Sequence, residues 1–188
     1  MAHTFAKTMF SDPAKRLQRE HGSRAAYERM AESGASEQKL GPDEVQFIAA
    51  RNSFYMATVT PDGWPYIQHR GGETGFLKAL DEGTLAFADY SGNKQYITTG
   101  NLSVNDRVAL FLMDYPNQTR LKIIGHARVV EPGTDAALED RVAEPNEKAR
   151  VERIFVIDVV GFDWNCSQYI TPRYSADELR VQFPNMFD

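Results

Sequence analysis

The chain of 188 residues has a single cysteine, Cys166, so neither an intrachain disulfide framework nor a cysteine-rich zinc site can be built from it. Its four histidines, His3, His21, His69 and His126, are far apart and form no HxxH or HExxH pair, which argues against a histidine-based metal site. It has no excess of basic residues: 21 Lys and Arg stand against 26 Asp and Glu, a formal charge of −5. A nucleic-acid binder that relies on neutralising phosphates would show the opposite sign, so nucleic acid is not an expected partner. No run of 18 apolar residues occurs, and MAHTFAKTMFSDPAKR lacks an apolar core of signal-peptide length, so no membrane association is expected. The expectation is a cytoplasmic protein in a reducing compartment. There is no GxGxxG after the first strand-like segment, no GxxxxGK[ST] loop and no GxSxG elbow.

What is present is ordinary globular composition, 42% apolar and 25% charged, with 11% aromatics suited to a strand-rich core. Residues 11–51 read as three short helices. SDPAKRLQREHG has Ser11 and Asp12 as caps, Pro13 in the first turn and Gly22 as stop, SRAAYERMAESG repeats that logic, and GPDEVQFIAARN follows. From Phe54 the rhythm is that of strands. FYMATV and WPYIQHR flank a Pro61-Asp62-Gly63 turn, and FLKAL and TLAFADY flank a DEG turn. After a short helix within KQYITTGNLSVND come the strand RVALFLMDY and the long strand TRLKIIGHARVVE, with Gly125 as a point for a bend or bulge. A polar, helix-compatible excursion, the long strand RVERIFVIDVVGFDW and an irregular tail complete the chain. Mostly short antiparallel connections between about six strands predict a barrel or sandwich rather than a doubly wound sheet.

Three polar clusters each stand at the end of a strand. Gln68, His69, Arg70, Gly71 and Gly72 combine a guanidinium fork with two glycines that let a ligand approach the backbone. Asp89 to Gln95, including Asn93 and Lys94, lie between a strand and a helix start and suit a phosphate cradle. Trp164 to Tyr174, with Gln168 and Arg173, mix flat apolar faces with donors and suit a planar heteroaromatic ligand. Each cluster also suits a plainer role: a solvated loop, a capped helix start, a pinned C-terminal segment. Cys166 has no adjacent base and reads as packing, and His126 reads as a strand-face residue. Arg120 and Lys122 alternate with Leu121 and Ile123 and so share one strand face.

Taken together, FYMATVTPDGWPYIQHRGG, GFLKALDEGTLAFADYSGNKQYITTGNL, NDRVALFLMDYPNQTRLKIIGHARVV and DWNCSQYITPR resemble the pyridoxamine 5′-phosphate oxidase-related flavoproteins of the FMN-binding split-barrel type, in order and spacing. The resemblance implies a mainly β, α+β fold: a six-stranded antiparallel split β-barrel over residues 52–174, an N-terminal helical extension over 1–51 and a tail over 175–188. It implies a homodimer with two FMN sites at the subunit interface and a small-molecule substrate. By position, Gln68, His69, Arg70 and Gly71 match the segment along the flavin ring and phosphate, Asp89 a flavin contact, and Asn93, Lys94 and Gln95 the phosphate segment. Arg120 matches a polar flavin contact. Trp164 and Arg173 match the residues that close the site from the partner subunit, with Gln168 beside them.

The departures from that pattern are informative. Lys94 is followed by neutral Gln95 where the true oxidases carry two basic residues, and Glu73 stands near their substrate lysine. The C-terminal Arg-x-His substrate motif is missing. The expected activity is therefore an FMN-dependent oxidoreductase on another small organic substrate, not pyridoxamine phosphate oxidation. The alternative is a non-catalytic split barrel that holds flavin, haem or deazaflavin.

Overall fold

The computed structural model describes residues 3–32, 39–144, 150–164 and 167–184. Four helices come first: α1 (His3–Met9), α2 (Asp12–Glu20), α3 (Arg24–Glu32) and α4 (Pro42–Ala49). The three helices expected over 11–51 are α2 to α4, and α1 is an addition that its sequence, without a cap signal, did not announce. The strands are β1 (Ser53–Val59), β2 (Pro65–Gly71), β3 (Lys78–Ala79), β4 (Thr84–Tyr90), β5 (Arg107–Asp114), β6 (Thr119–Val130) and β7 (Val151–Trp164). Between them lie α5 (Ile97–Leu102) and α6 (Ala136–Val142), and α7 (Ala176–Gln182) follows.

All seven strands form one antiparallel sheet in the order β2-β1-β5-β6-β7-β4-β3. Six are full strands, as expected; the seventh, β3, has two residues and forms the short arm of the second hairpin. The order leaves β2 and β3 as edges, so backbone hydrogen bonds do not close the barrel. The sheet nevertheless curls until the inward face of β2 meets that of β4, where Arg70 and Asp89 touch.

Alternation explains the core. On β5 the inward residues Val108, Leu110, Leu112 and Asp114 are buried while Arg107 and Ala109 are exposed. Phe54 and Met56 of β1, Leu85 and Phe87 of β4, Leu121 and Ile123 of β6, and Phe155 and Ile157 of β7 converge on the same interior. Phe87 stacks on Phe155 with centroids 5.1 Å apart, and Ile48 of α4 is buried in the same core. Each such side chain contributes roughly 1.5–3 kcal/mol when fully buried. The opposite face of β4 and β7, with Ala86, Ala88, Ile154 and Val156, is covered by Leu138 and Val142 of α6.

Two local devices fix the frame of the site. The β1–β2 hairpin closes through Thr60 N–H to the Trp64 carbonyl at 2.9 Å, with Gly63 at φ +86°, as the Pro-Asp-Gly turn predicts. Gly125 sits at a shift in register between β6 and β7, the irregularity its sequence position suggests. A Cβ there would stand 2.5 Å from the Asp158 carbonyl oxygen, so no other residue fits without movement of the backbone.

Candidate functional site

The site grows out of the two-residue period of β2. Tyr66, Gln68 and Arg70 share its inner face, whereas Pro65, Ile67, His69 and Gly71 are exposed on the other. Across the seam, Asp89 lies in phase with Leu85 and Phe87 on β4, and Arg153 in phase with Phe155 and Ile157 on β7. The chain then leaves β4 through residues 91–96, where Lys94 and Tyr96 take left-handed φ values of +59° and +52°. Such values are uncommon outside glycine and fold this loop tightly over the seam. Asn93 Oδ1 accepts from the Gln95 backbone N–H at 3.2 Å, which supports the bend.

These elements enclose a cleft of about 220 Å³, lined by Tyr66, Gln68, Arg70, Asp89, Lys94 and Arg153 among others. Its floor is a charge network. Arg70 Nη1 donates to Asp89 Oδ1 at 2.6 Å, and Arg153 Nη1 to Asp89 Oδ2 at 2.6 Å. Arg153 Nη2 also donates to Glu152 Oε2 at 2.8 Å. Arg70 lies over the rings of Phe155 and Phe87, 5.2 and 5.8 Å from their centroids, and Arg153 lies 5.0 Å from that of Tyr96. Arg70 Nε is buried without a hydrogen-bond partner. A buried guanidinium N–H left open costs free energy, and an anionic or carbonyl-bearing ligand would satisfy it.

Burial lowers the Arg70 pKa, although Asp89 opposes the shift. For Arg153 burial also works against the charge, but the bonds from Asp89 and Glu152 outweigh it and its pKa is raised. Both guanidinium groups stay charged at any working pH. On the neutral side of the cleft, Gln68 Oε1 accepts from Thr98 Oγ1 at 3.1 Å and from the Tyr66 hydroxyl at 3.3 Å. Asn101 Nδ2 donates to Thr58 Oγ1 at 2.8 Å and ties α5 to β1.

Six of the residues singled out from the sequence line this cleft: Gln68, Arg70, Asp89, Asn93, Lys94 and Gln95. The other six do not. His69 faces outward, its ring 5.5 Å from that of Tyr55, and Gly71 ends β2 beside it. Arg120, on the outer face of β6, has a buried Nε without a partner and lies 5.8 Å from the Phe111 centroid. Trp164 packs edge-on to Phe47 of α4 at 4.8 Å and donates to Glu44 Oε1 at 2.7 Å. Gln168 is exposed, and Arg173 lies over the Tyr115 ring at 5.1 Å. Asn165 and Cys166 lie outside the described residues.

Sequence reasoning missed Tyr66, Thr98, Glu152 and Arg153. Tyr66 was within reach, since it stands two residues before Gln68 on the same face. Arg153 carried a signal too: a charge on the inward phase of an apolar strand, where Phe155 and Ile157 follow at the same period. Among the described residues, no cluster of three or more His, Cys, Asp or Glu side chains could hold a metal ion, and no helix is long and apolar enough to cross a membrane.

An open antiparallel barrel with a charged cleft at its seam defines the split-barrel class. The sequence model of the pyridoxamine 5′-phosphate oxidase family matches residues 40–158, more than half of the chain, and the protein belongs to that family. Solved structures agree on the fold. A putative pyridoxamine 5′-phosphate oxidase of Lactobacillus delbrueckii superposes with a TM-score of 0.52 at 22% identity, covering 68% of this chain and 96% of that one. HupZ of Group A Streptococcus superposes at 0.53 with 15% identity, covering 72% and 100%. None of the curated proteins matches the sequence.

Proposed function

We propose that the seam cleft holds the phosphate of FMN and that the protein is an FMN-dependent oxidoreductase acting on a small organic substrate. The observation that carries this reading is the Arg70 guanidinium, buried at the seam with an N–H to spare, in a cleft that Lys94 and Arg153 also line. A phosphate monoester needs cations and a guanidinium fork, and these residues offer both. Asn93 and Gln95 add neutral polar groups at the mouth. Gln68, held by Thr98 and Tyr66 through its Oε1, would keep its amide nitrogen free to donate to the ring.

Bound FMN supplies reversible transfer of a hydride or of single electrons. The chain's part is to anchor the phosphate, orient the ring and exclude water. The cleft lining is largely polar, so the ring needs apolar cover from elsewhere. The outer face of β1, β2 and β5 carries Tyr55, Ile67 and Phe111, with Ile67 63% exposed. In our reading a second copy covers this face, giving a homodimer in which His69, Arg120, Trp164, Gln168 and Arg173 approach the flavin across the interface. Residues 1–51 are then an extension to the 52–174 barrel, which the 175–188 tail follows. Glu73 and the missing Arg-x-His motif make this chain a poor oxidase of pyridoxamine phosphate, since a carboxylate repels a phosphate dianion.

The test is the visible spectrum of protein loaded with excess FMN and then desalted. Flavin bands retained by the wild type and lost by an Arg70→Ala plus Lys94→Ala variant support the reading. A protein that releases all flavin contradicts it, and a Soret band after purification would point to haem instead.

A further inference from the structure

We propose that Asp89 is a built-in counter-ion that competes with the ligand's phosphate for Arg70 and Arg153, so that it limits the affinity of the cleft for phosphate monoesters, and that Arg153 is the second guanidinium for that ligand. The inference rests on the seam cleft being an anion site; its FMN arm also rests on the flavin reading above.

Both oxygens of Asp89 are committed, one to each arginine, at 2.6 Å apiece. The three side chains are only 12–13% exposed, so their charges meet with little screening by water. A carboxylate and a phosphate offer the same thing to a guanidinium: two oxygens at the spacing of its fork. The protein's own carboxylate therefore occupies donors that a phosphate would take. Arg153 is already positioned for that exchange. Glu152 holds its second amino group and Tyr96 lies under its plane, so it keeps its place when Asp89 lets go. Arg70 has an Nε N–H that its pairing with Asp89 leaves unpartnered, a donor that a phosphate can still take.

Charge counting points the same way. The cleft lining carries Arg70, Lys94 and Arg153 against Asp89 and Glu152, one net positive charge facing a dianion. Loss of the Asp89 carboxylate raises that to two. A plain structural staple would behave differently. If Asp89 only held the seam together, its neutralisation would loosen the cleft and weaken every ligand alike.

The experiment uses the full chain at low ionic strength, with Asp89→Asn and Arg153→Gln variants. Inorganic phosphate is titrated by calorimetry, and FMN and riboflavin by flavin fluorescence. We expect Asp89→Asn to bind phosphate and FMN about tenfold more tightly and riboflavin within about twofold of the wild type, the scale of one charge-assisted hydrogen bond. Arg153→Gln should loosen FMN about tenfold and leave riboflavin unmoved. A folded Asp89→Asn protein that binds phosphate no more tightly than the wild type overturns the proposal. If that variant does not fold, Arg153→Gln decides: selective loss of FMN over riboflavin supports the proposal, and equal affinities overturn it. Phosphate binding with these shifts but without any FMN binding would leave the counter-ion standing and sink the flavin reading. FMN binding without phosphate binding in either protein would do the reverse.

Discussion

Arg70 is the residue on which the site turns. It is held by Asp89, lies over two buried phenylalanine rings and keeps one N–H without a partner. Replacing it with alanine leaves Asp89 paired to Arg153 alone and opens space at the seam. We expect Arg70→Ala to lose about 1–3 kcal/mol of stability in chemical denaturation and at least about tenfold in FMN affinity. Unchanged denaturation and binding would show that Arg70 serves neither. A second residue makes a pH prediction. Burial, with Tyr55 beside it, pushes the Tyr115 phenol above the usual tyrosine value, while Arg173 opposes the shift. Folding thus favours the neutral phenol; that stabilisation is complete below about pH 10 and is lost as pH rises through the raised value. A Tyr115→Phe protein should lose less stability above about pH 10 than the wild type; parallel profiles would contradict the assignment.

Among the elements, the hairpins and the helix caps were legible because their signals are local. Pro61-Asp62-Gly63 makes the turn it predicts, and Ser11 caps α2 by accepting from Ala14 N–H. The segment after β4 was legible as part of a cleft: Asn93, Lys94 and Gln95 line it. Its mechanism differs from the expected helix N-terminus, since α5 has only six residues and the loop is shaped by left-handed backbone at Lys94 and Tyr96. What stayed hidden was long-range. Arg153 joins Arg70 only because β7 pairs with β4 and the sheet curls, and no local pattern encodes that pairing. Trp164 looked like a ligand platform, yet within its own chain it serves as a dock for Phe47 and Glu44 of α4. At this scale the sharpest prediction concerns the β6–β7 irregularity. Gly125→Ala forces a Cβ onto the Asp158 carbonyl and should cost about 1–3 kcal/mol, read as a lowered thermal midpoint. A midpoint equal to the wild type would mean that the two strands part there without cost.

For the whole molecule, the mainly β class, the short antiparallel connections and the family were all readable from the order of four segments, since strand rhythm and turn residues survive without any tertiary knowledge. The open order of the sheet was not, because which strands become edges depends on long-range pairing and on how far the sheet curls. The apolar outer face is the other global feature. Ile67 and Tyr55 stand exposed beside Phe111 on adjacent strands, a surface costly to leave in water. If a second copy covers it, Ile67→Glu should shift the protein from dimer to monomer in analytical ultracentrifugation and weaken FMN binding with it. A wild type that sediments as a monomer at micromolar concentration would contradict the homodimer and require each cleft to cover the flavin ring alone.

The most direct test of the central claim, that the seam cleft anchors a flavin by its phosphate, is the ratio of FMN to riboflavin affinity in the wild type and in Arg70→Ala plus Lys94→Ala. The account predicts a strong preference for FMN in the wild type, on the order of a hundredfold for two charge-assisted contacts, that collapses toward one in the variant. Equal affinity for the two flavins in the wild type, or a preference that survives loss of both cations, would place the phosphate elsewhere and contradict the account.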